Sequence, residues 1–153
     1  MIIRTLSAAT LVIAAVAWGS VALPASPQAA PASATGSRIQ RDAEVAVRQP
    51  GPHEGTGFTT AYPFFADLKD LRVVFRKRAL HPGASIGVHA QEDDEIYYVI
   101  SGTGEYTLDG KKIAVSAGMA LLTRKGSSHG LRQTGSEDLV IIISYLRSPA
   151  ETK

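Results

Sequence analysis

The stretch GASIGVHAQEDDEIYYVISG, residues 83–102, decides the reading of this chain. It places His89 and Gln91 two residues apart and Glu95 four further on, between turns at Gly83 and Gly102. Residues i and i+2 of a β-strand point to the same face. His89 and Gln91 therefore look into one pocket. Glu95 opens the next strand, EIYYVIS, and swings in beside them. A fourth donor, His129, follows on a later strand. These oxygen and nitrogen donors predict a metal site inside a small β-barrel.

The flanking sequence keeps to the same period. TTAYPFF (59–65), LRVVFRKRAL (71–80), SIGVHAQ (85–91) and EIYYVIS (95–101) read as strands separated by turn residues. EYTL (105–108) and KIAV (112–115) flank Asp109-Gly110, the strongest short hairpin signal in the chain. MALLT (119–123), HGLRQ (129–133) and DLVIIISYL (138–146) complete the series. No segment here sustains a helical period. Several short strands at regular spacing in one domain argue for an all-β sandwich or barrel.

The two glycine-bounded halves have a further meaning. Gly83, His89, Gln91, Glu95 and Gly102 follow the spacing G-x5-H-x-H-x3-E-x6-G, with Gln91 in place of the second histidine. Gly118, Gly126 and His129 follow the spacing of G-x5-P-x-G-x2-H-x3-N, with Arg124 in place of proline and Gln133 in place of asparagine. In these positions the chain resembles the cupin superfamily, in particular small single-domain cupins, over residues 71–146 and more loosely from 59. The resemblance implies a double-stranded β-helix, or jelly roll. It also implies a divalent transition metal held by His89, Gln91, Glu95 and His129. The donor set leaves iron, manganese, nickel, copper, cobalt and zinc open. The Gln91 amide is a weak, neutral ligand beside imidazole. It either binds the metal or orders a metal-bound water. Two histidines and one carboxylate still make a facial triad with open positions for substrate.

Alternation names the other pocket candidates. If His129 points inward, so do Leu131 and Gln133; if Glu95 does, Tyr97 and Val99 share its face. Tyr97 and Gln133 are thus expected to bind substrate. Val74, Arg76 and Arg78 share one face of their strand, and Val73, Phe75 and Lys77 the other. One of Arg76, Arg78 and Lys77 is the candidate anchor for a carboxylate or phosphate, with Arg76 the one assigned to substrate, but the favoured reading is a solvated edge-strand face. PGPHEGTG (50–57), with three glycines and two prolines, reads as a loop, and neither His53 nor His81 receives a role. The run Glu92-Asp93-Asp94 reads as a solvated turn. Arg124 and Lys125 read as surface charges.

The chain has 153 residues, room for one domain with a core. It has no cysteine, which excludes disulfides, thiolate ligands, a cysteine nucleophile and a lipoprotein anchor. Arg4 and the apolar run TLSAATLVIAAVA (5–17) read as a secretory leader over 1–22, cleaved after Ala22 or after Ala34. Cleavage removes only Arg4 among the charges, lowering the net charge from +2 to +1, too little to argue for nucleic acid or an anionic membrane. The expected organisation is a leader (1–22), a disordered spacer and N-terminal arm (23–57), the barrel (58–147) and a tail (148–153).

The functional expectation is an exported, periplasmic or secreted metal-binding protein without a membrane anchor after cleavage. It would act on a small organic acid, sugar or phenolic as an oxygenase, lyase or isomerase. The alternative is a non-catalytic module for a small ligand or metal. A homodimer is expected, because barrel edges need covering and TTAYPFF is a candidate for exchange.

Overall fold

The structure, a computed structural model, describes residues 36–147. The expected leader, most of the spacer and the tail from 148 lie outside the described residues. Ten strands follow a short helix, α1 (Asp42–Val45): β1 Val47–Pro50, β2 Phe58–Tyr62, β3 Val73–Leu80, β4 Ser85–Ala90, β5 Glu95–Ser101, β6 Thr103–Leu108, β7 Lys111–Ser116, β8 Ala120–Thr123, β9 Ser128–Gln133 and β10 Leu139–Leu146. They form a six-stranded sheet in the order β1-β2-β3-β10-β5-β8 and a four-stranded sheet in the order β4-β9-β6-β7. Every pairing is antiparallel. This is the all-β jelly roll that the strand spacing predicts.

Alternation builds the core. Glu95, Tyr97 and Val99 of β5 are buried, whereas Ile96, Tyr98 and Ile100 are exposed. Leu139, Ile141 and Ile143 of β10 join the same interior, opposite Tyr106, Leu131 and Ile86 of the smaller sheet. Each fully buried side chain of this size contributes about 1.5–3 kcal/mol. The Asp109-Gly110 turn joins β6 to β7 as expected, with φ of 47° and 79°, the left-handed pair such a hairpin needs.

Three expectations are corrected. The barrel does not begin at residue 58: β1 pairs with β2, with Val47 opposite Ala61 and Pro50 opposite Phe58. This part of the expected spacer and arm is a strand of the larger sheet. The segment 59–65 is strand only to Tyr62, and β2 is hydrogen-bonded on both sides, by β1 and β3. It is not an open edge. Nor is β3, which lies between β2 and β10. Its Arg78 is 5% exposed, so this face is interior rather than solvated.

Candidate metal and ligand site

Strand β4 carries the irregularity that makes the site. Ile86 lies opposite Leu131, and His89 lies opposite His129. Gly87 and Val88 on β4 thus lie against Gly130 alone on β9, a one-residue bulge. A bulge re-aims the side chains that follow it. Ile86 is buried, Val88 is exposed, and His89 turns inward where strict alternation from Ile86 would have placed Val88.

Four side chains from both sheets then converge. The Gln91 amide nitrogen lies 2.6 Å from His129 Nε2, 2.8 Å from Glu95 Oε2 and 3.2 Å from His89 Nε2. Glu95 Oε2 is 3.2 Å from His129 Nε2. The outer nitrogens of the rings are engaged elsewhere. His89 Nδ1 is 2.9 Å from the Gly87 carbonyl, which only accepts, so Nδ1 carries a hydrogen and Nε2 faces the cluster. His129 Nδ1 meets the hydroxyls of Thr123 at 2.7 Å and Tyr106 at 3.0 Å, and these hydroxyls bond each other. Such partners fix a ring's orientation, as they do around metal-binding imidazoles.

The donor chemistry fits a cation. Two imidazole nitrogens and a carboxylate oxygen, all of them metal-ligating groups, crowd one amide nitrogen. Glu95 is buried and has no lysine or arginine partner among the described residues. A buried carboxylate without a positive partner is costly. As arranged, the histidine and acidic side chains of the described residues do not by themselves make a metal cage. The Gln91 nitrogen stands at the point they share. A half-turn of its amide exchanges Oε1 for Nε2 there, an assignment that hydrogen bonding alone decides. The backbone of Gln91 is held on both sides: its N–H donates to Ser127 O and its carbonyl accepts from Gly126 N, each at 2.9 Å. Asp94 closes the same turn by accepting from Lys125 N and Arg124 Nε. That is its role rather than free solvation.

The cluster borders a cavity of about 370 Å³, lined also by Pro52, His53, Arg76, Arg78 and Tyr97. His129 lies behind it, fully buried. Tyr97 faces the cavity as expected. Burial, and next the Glu95 charge, push its phenol well above the ordinary tyrosine value, so it stays protonated and can donate. Arg76 also reaches the cavity and donates through Nη2 to the Tyr145 hydroxyl at 2.6 Å.

Gln133 does not belong here. It is inward-facing, but its Oε1 accepts from Gly83 N at 2.9 Å and its Nε2 donates to Gly135 O and Glu137 O, both at 2.7 Å. Four residues along β9 carry it about 13 Å from His129. It staples the turns at the far end of the barrel, away from the cluster. His81 is also structural, between Thr60 and Asp138.

His53 is the site residue the sequence did not reveal. Its ring stacks on His89 with centroids 3.5 Å apart and planes 6° apart. The loop after β1 folds over β4: Gly87 N donates to Pro52 O and Ser85 N to Thr56 O, each at 3.0 Å. A Cβ on Gly87 would lie 1.8 Å from the His53 carbonyl, and one on Gly55 2.1 Å from the Ser85 carbonyl. Glycine at these positions is what lets the loop dock. Burial, and next the neighbouring His89, lower the His53 pKa, favouring the neutral ring.

A family model described as a cupin domain matches residues 77–145. An oxalate-binding protein of Thermotoga maritima is 39% identical over 67 residues, 43% of this chain and 55% of that relative. The chain thus spans little more than half the length of the curated relative it matches. Among solved structures, a predicted oxalate decarboxylase from Thermotoga maritima superposes with a TM-score of 0.66 at 27% identity, over 72% of this chain and 100% of that one. An RmlC-like cupin from Shewanella frigidimarina superposes with a TM-score of 0.55 at 18% identity, over 76% of this chain and 97% of that one, a likeness of fold alone. The motif spacing, the jelly roll and these matches agree: the chain belongs to the cupin superfamily, its cupin domain built around residues 77–145.

Proposed function

We propose that the chain binds a divalent transition metal through His89, Glu95, His129 and the turned amide of Gln91. On that site it acts on a small ligand as an oxygenase, lyase or isomerase. The observation that carries this reading is the convergence of His89 Nε2, His129 Nε2 and Glu95 Oε2, three atoms of metal-ligating groups, on one amide nitrogen. Among organic acids, sugars and phenolics, a small organic acid fits best. The cavity wall is lined by two arginines, and the Thermotoga maritima relative is described as oxalate-binding.

A bound divalent ion would supply Lewis acidity for ligand oxygens and, for a redox-active metal, electron transfer. The chain's own contributions are separate. Tyr97 keeps a phenolic proton that it can donate to a ligand oxygen. The Tyr106 and Thr123 hydroxyls hold His129. The loop carrying Pro52 and His53 covers one side of the mouth and limits water there. Addition of Mn²⁺ or Fe²⁺ to the purified protein, followed by oxalate turnover assays with and without O₂, tests this reading. Stoichiometric metal binding with turnover supports it. Absence of metal binding at micromolar protein sinks it.

A non-catalytic binding module is the second reading. It is favoured by Gln91, whose amide is a weaker donor than an imidazole. Tight ligand binding without conversion of any bound acid would select it.

Export and pairing belong to the same proposal. The apolar leader at 1–22 supports a periplasmic or secreted location, tested by N-terminal sequencing of the mature protein. Among the described residues no helix is long and apolar enough to cross a membrane. The outer face of the larger sheet exposes Val73, Phe75, Ile96, Tyr98, Ile100 and Leu122. An apolar patch on this scale suits a second copy. Light scattering at micromolar concentration should give twice the chain mass, and a monomer would contradict the dimer.

A further inference from the structure

The cavity has a second polar wall. Val74, Arg76, Arg78 and Leu80 occupy one face of β3, and the two arginines line the cavity. Arg76 and Tyr97 are both register partners of Ile143, and Arg78 and Val99 are both partners of Ile141. The arginines thus stand two strands, about 10 Å, from the strand bearing Glu95.

Their hydrogen bonds leave a surplus of donors. Arg78 Nη1 donates to Thr59 Oγ1 at 2.7 Å. The Gln49 amide, oriented with its oxygen toward the guanidinium, accepts from Nη1 at 2.9 Å and Nη2 at 3.2 Å. These bonds use three of the five N–H groups of the guanidinium. Arg78 Nε and Arg76 Nε are shut off from solvent, and neither has an acceptor. Every partner of the pair is neutral, and neither arginine forms an ion pair among the described residues.

Other acidic groups do not supply the missing charge. Glu95 shares the cavity but is bonded to Gln91 and lies against His129. Glu92 and Asp93 border the cavity without contacting either guanidinium. Two like charges stand two residues apart on one interior face. Burial of Arg78, and next the charge of Arg76, already work against its protonated form. A buried charge needs a partner, and this pair finds none among the described residues.

We propose that Arg76 and Arg78 form an anion subsite that takes a carboxylate of the cavity's ligand, while the His89, Glu95 and His129 cluster faces the ligand's other end. A planar guanidinium presents parallel N–H groups that match the two oxygens of a carboxylate. The subsite deepens the small-acid reading and rests on it only for what lies at the other end. The carboxylate grip itself needs no metal.

The test uses the full chain, ¹⁵N-labelled and freed of metal by chelator. Arginine Nε–H resonances are followed while propionate, neutral propionamide or inorganic phosphate is added. Propionate should shift the Nε–H signals of Arg76 and Arg78, and propionamide should bind about tenfold or more weakly. Arg78→Met and Arg76→Gln should each lose about tenfold in propionate affinity, the size of one charge-assisted bond. Their Mn²⁺ affinity should stay at the wild-type value. If Arg78→Met does not fold, Arg76, which is less buried, carries the test through Arg76→Gln. Equal binding of propionate and propionamide, no binding of propionate, or wild-type affinity in Arg76→Gln overturns the subsite. Preferential binding of phosphate overturns its assignment to a carboxylate. Propionate binding in a protein that takes up no Mn²⁺ would sink the metal reading and leave the subsite standing.

Discussion

Two walls of one cavity are polar in opposite senses. On the first, the acceptor wall, His89 Nε2, His129 Nε2 and Glu95 Oε2 crowd one amide nitrogen, and the Glu95 carboxylate has no lysine or arginine partner among the described residues. On the second, the Nε–H groups of Arg76 and Arg78 have no acceptor, so donors outnumber acceptors. Each imbalance is costly when buried. A cation relieves the first and an anion the second. A metal–carboxylate pair bridging them would relieve both, which is why the two walls make better sense together than apart.

Tyr106→Phe separates the two walls with the largest expected effect. Tyr106 is buried, and its hydroxyl holds His129 Nδ1 from behind. Loss of such a supporting hydrogen bond typically costs roughly 10–100-fold in metal affinity. Mn²⁺ titration of the variant should show a loss of that order, with carboxylate binding to the metal-free protein unchanged. Equal losses at both walls would mean that the barrel had been disturbed as a whole. Gln91→His works in the other direction. An imidazole in place of the amide should tighten Mn²⁺ about tenfold; weaker binding would show that the amide does not act as a metal donor. The smallest effect is expected for His53→Ala. Its stack on His89 is worth about 0.5–1.5 kcal/mol, so unfolding by denaturant should shift by no more than that, while ligand affinity falls a fewfold. An unaltered ligand affinity would reduce His53 to a mouth residue without a part in binding.

The two walls were not equally legible in the sequence. The acceptor wall follows from period-two alternation and glycine punctuation: β5 spans Glu95–Ser101, as the run EIYYVIS predicts. The donor wall obeys the same alternation, but residue type misleads there. Unpaired arginines are rarely interior, so the face of Arg76 and Arg78 reads as solvated, whereas β3 lies between β2 and β10 with that face inward. Parity alone also misplaces Gln133, because it gives the face of a strand but not which end of the barrel the residue occupies.

His53 was hidden for a different reason. Its position comes from backbone bonds between the 51–57 loop and β4, distant in sequence. The available signal is Gly87 inside a strand, which marks a close backbone approach. β1 escaped notice because VRQP is short, polar and ends in proline, the composition of an edge strand.

Whether the wall of His89, Glu95 and His129 holds a metal is read from metal content. Elemental analysis of the full chain after Mn²⁺ or Fe²⁺ loading and desalting should find about one metal ion per chain, and His89→Ala, which removes one of the two imidazole donors, should retain almost none. A wild-type protein that emerges without metal, or a His89→Ala variant that keeps as much as the wild type, would contradict the account.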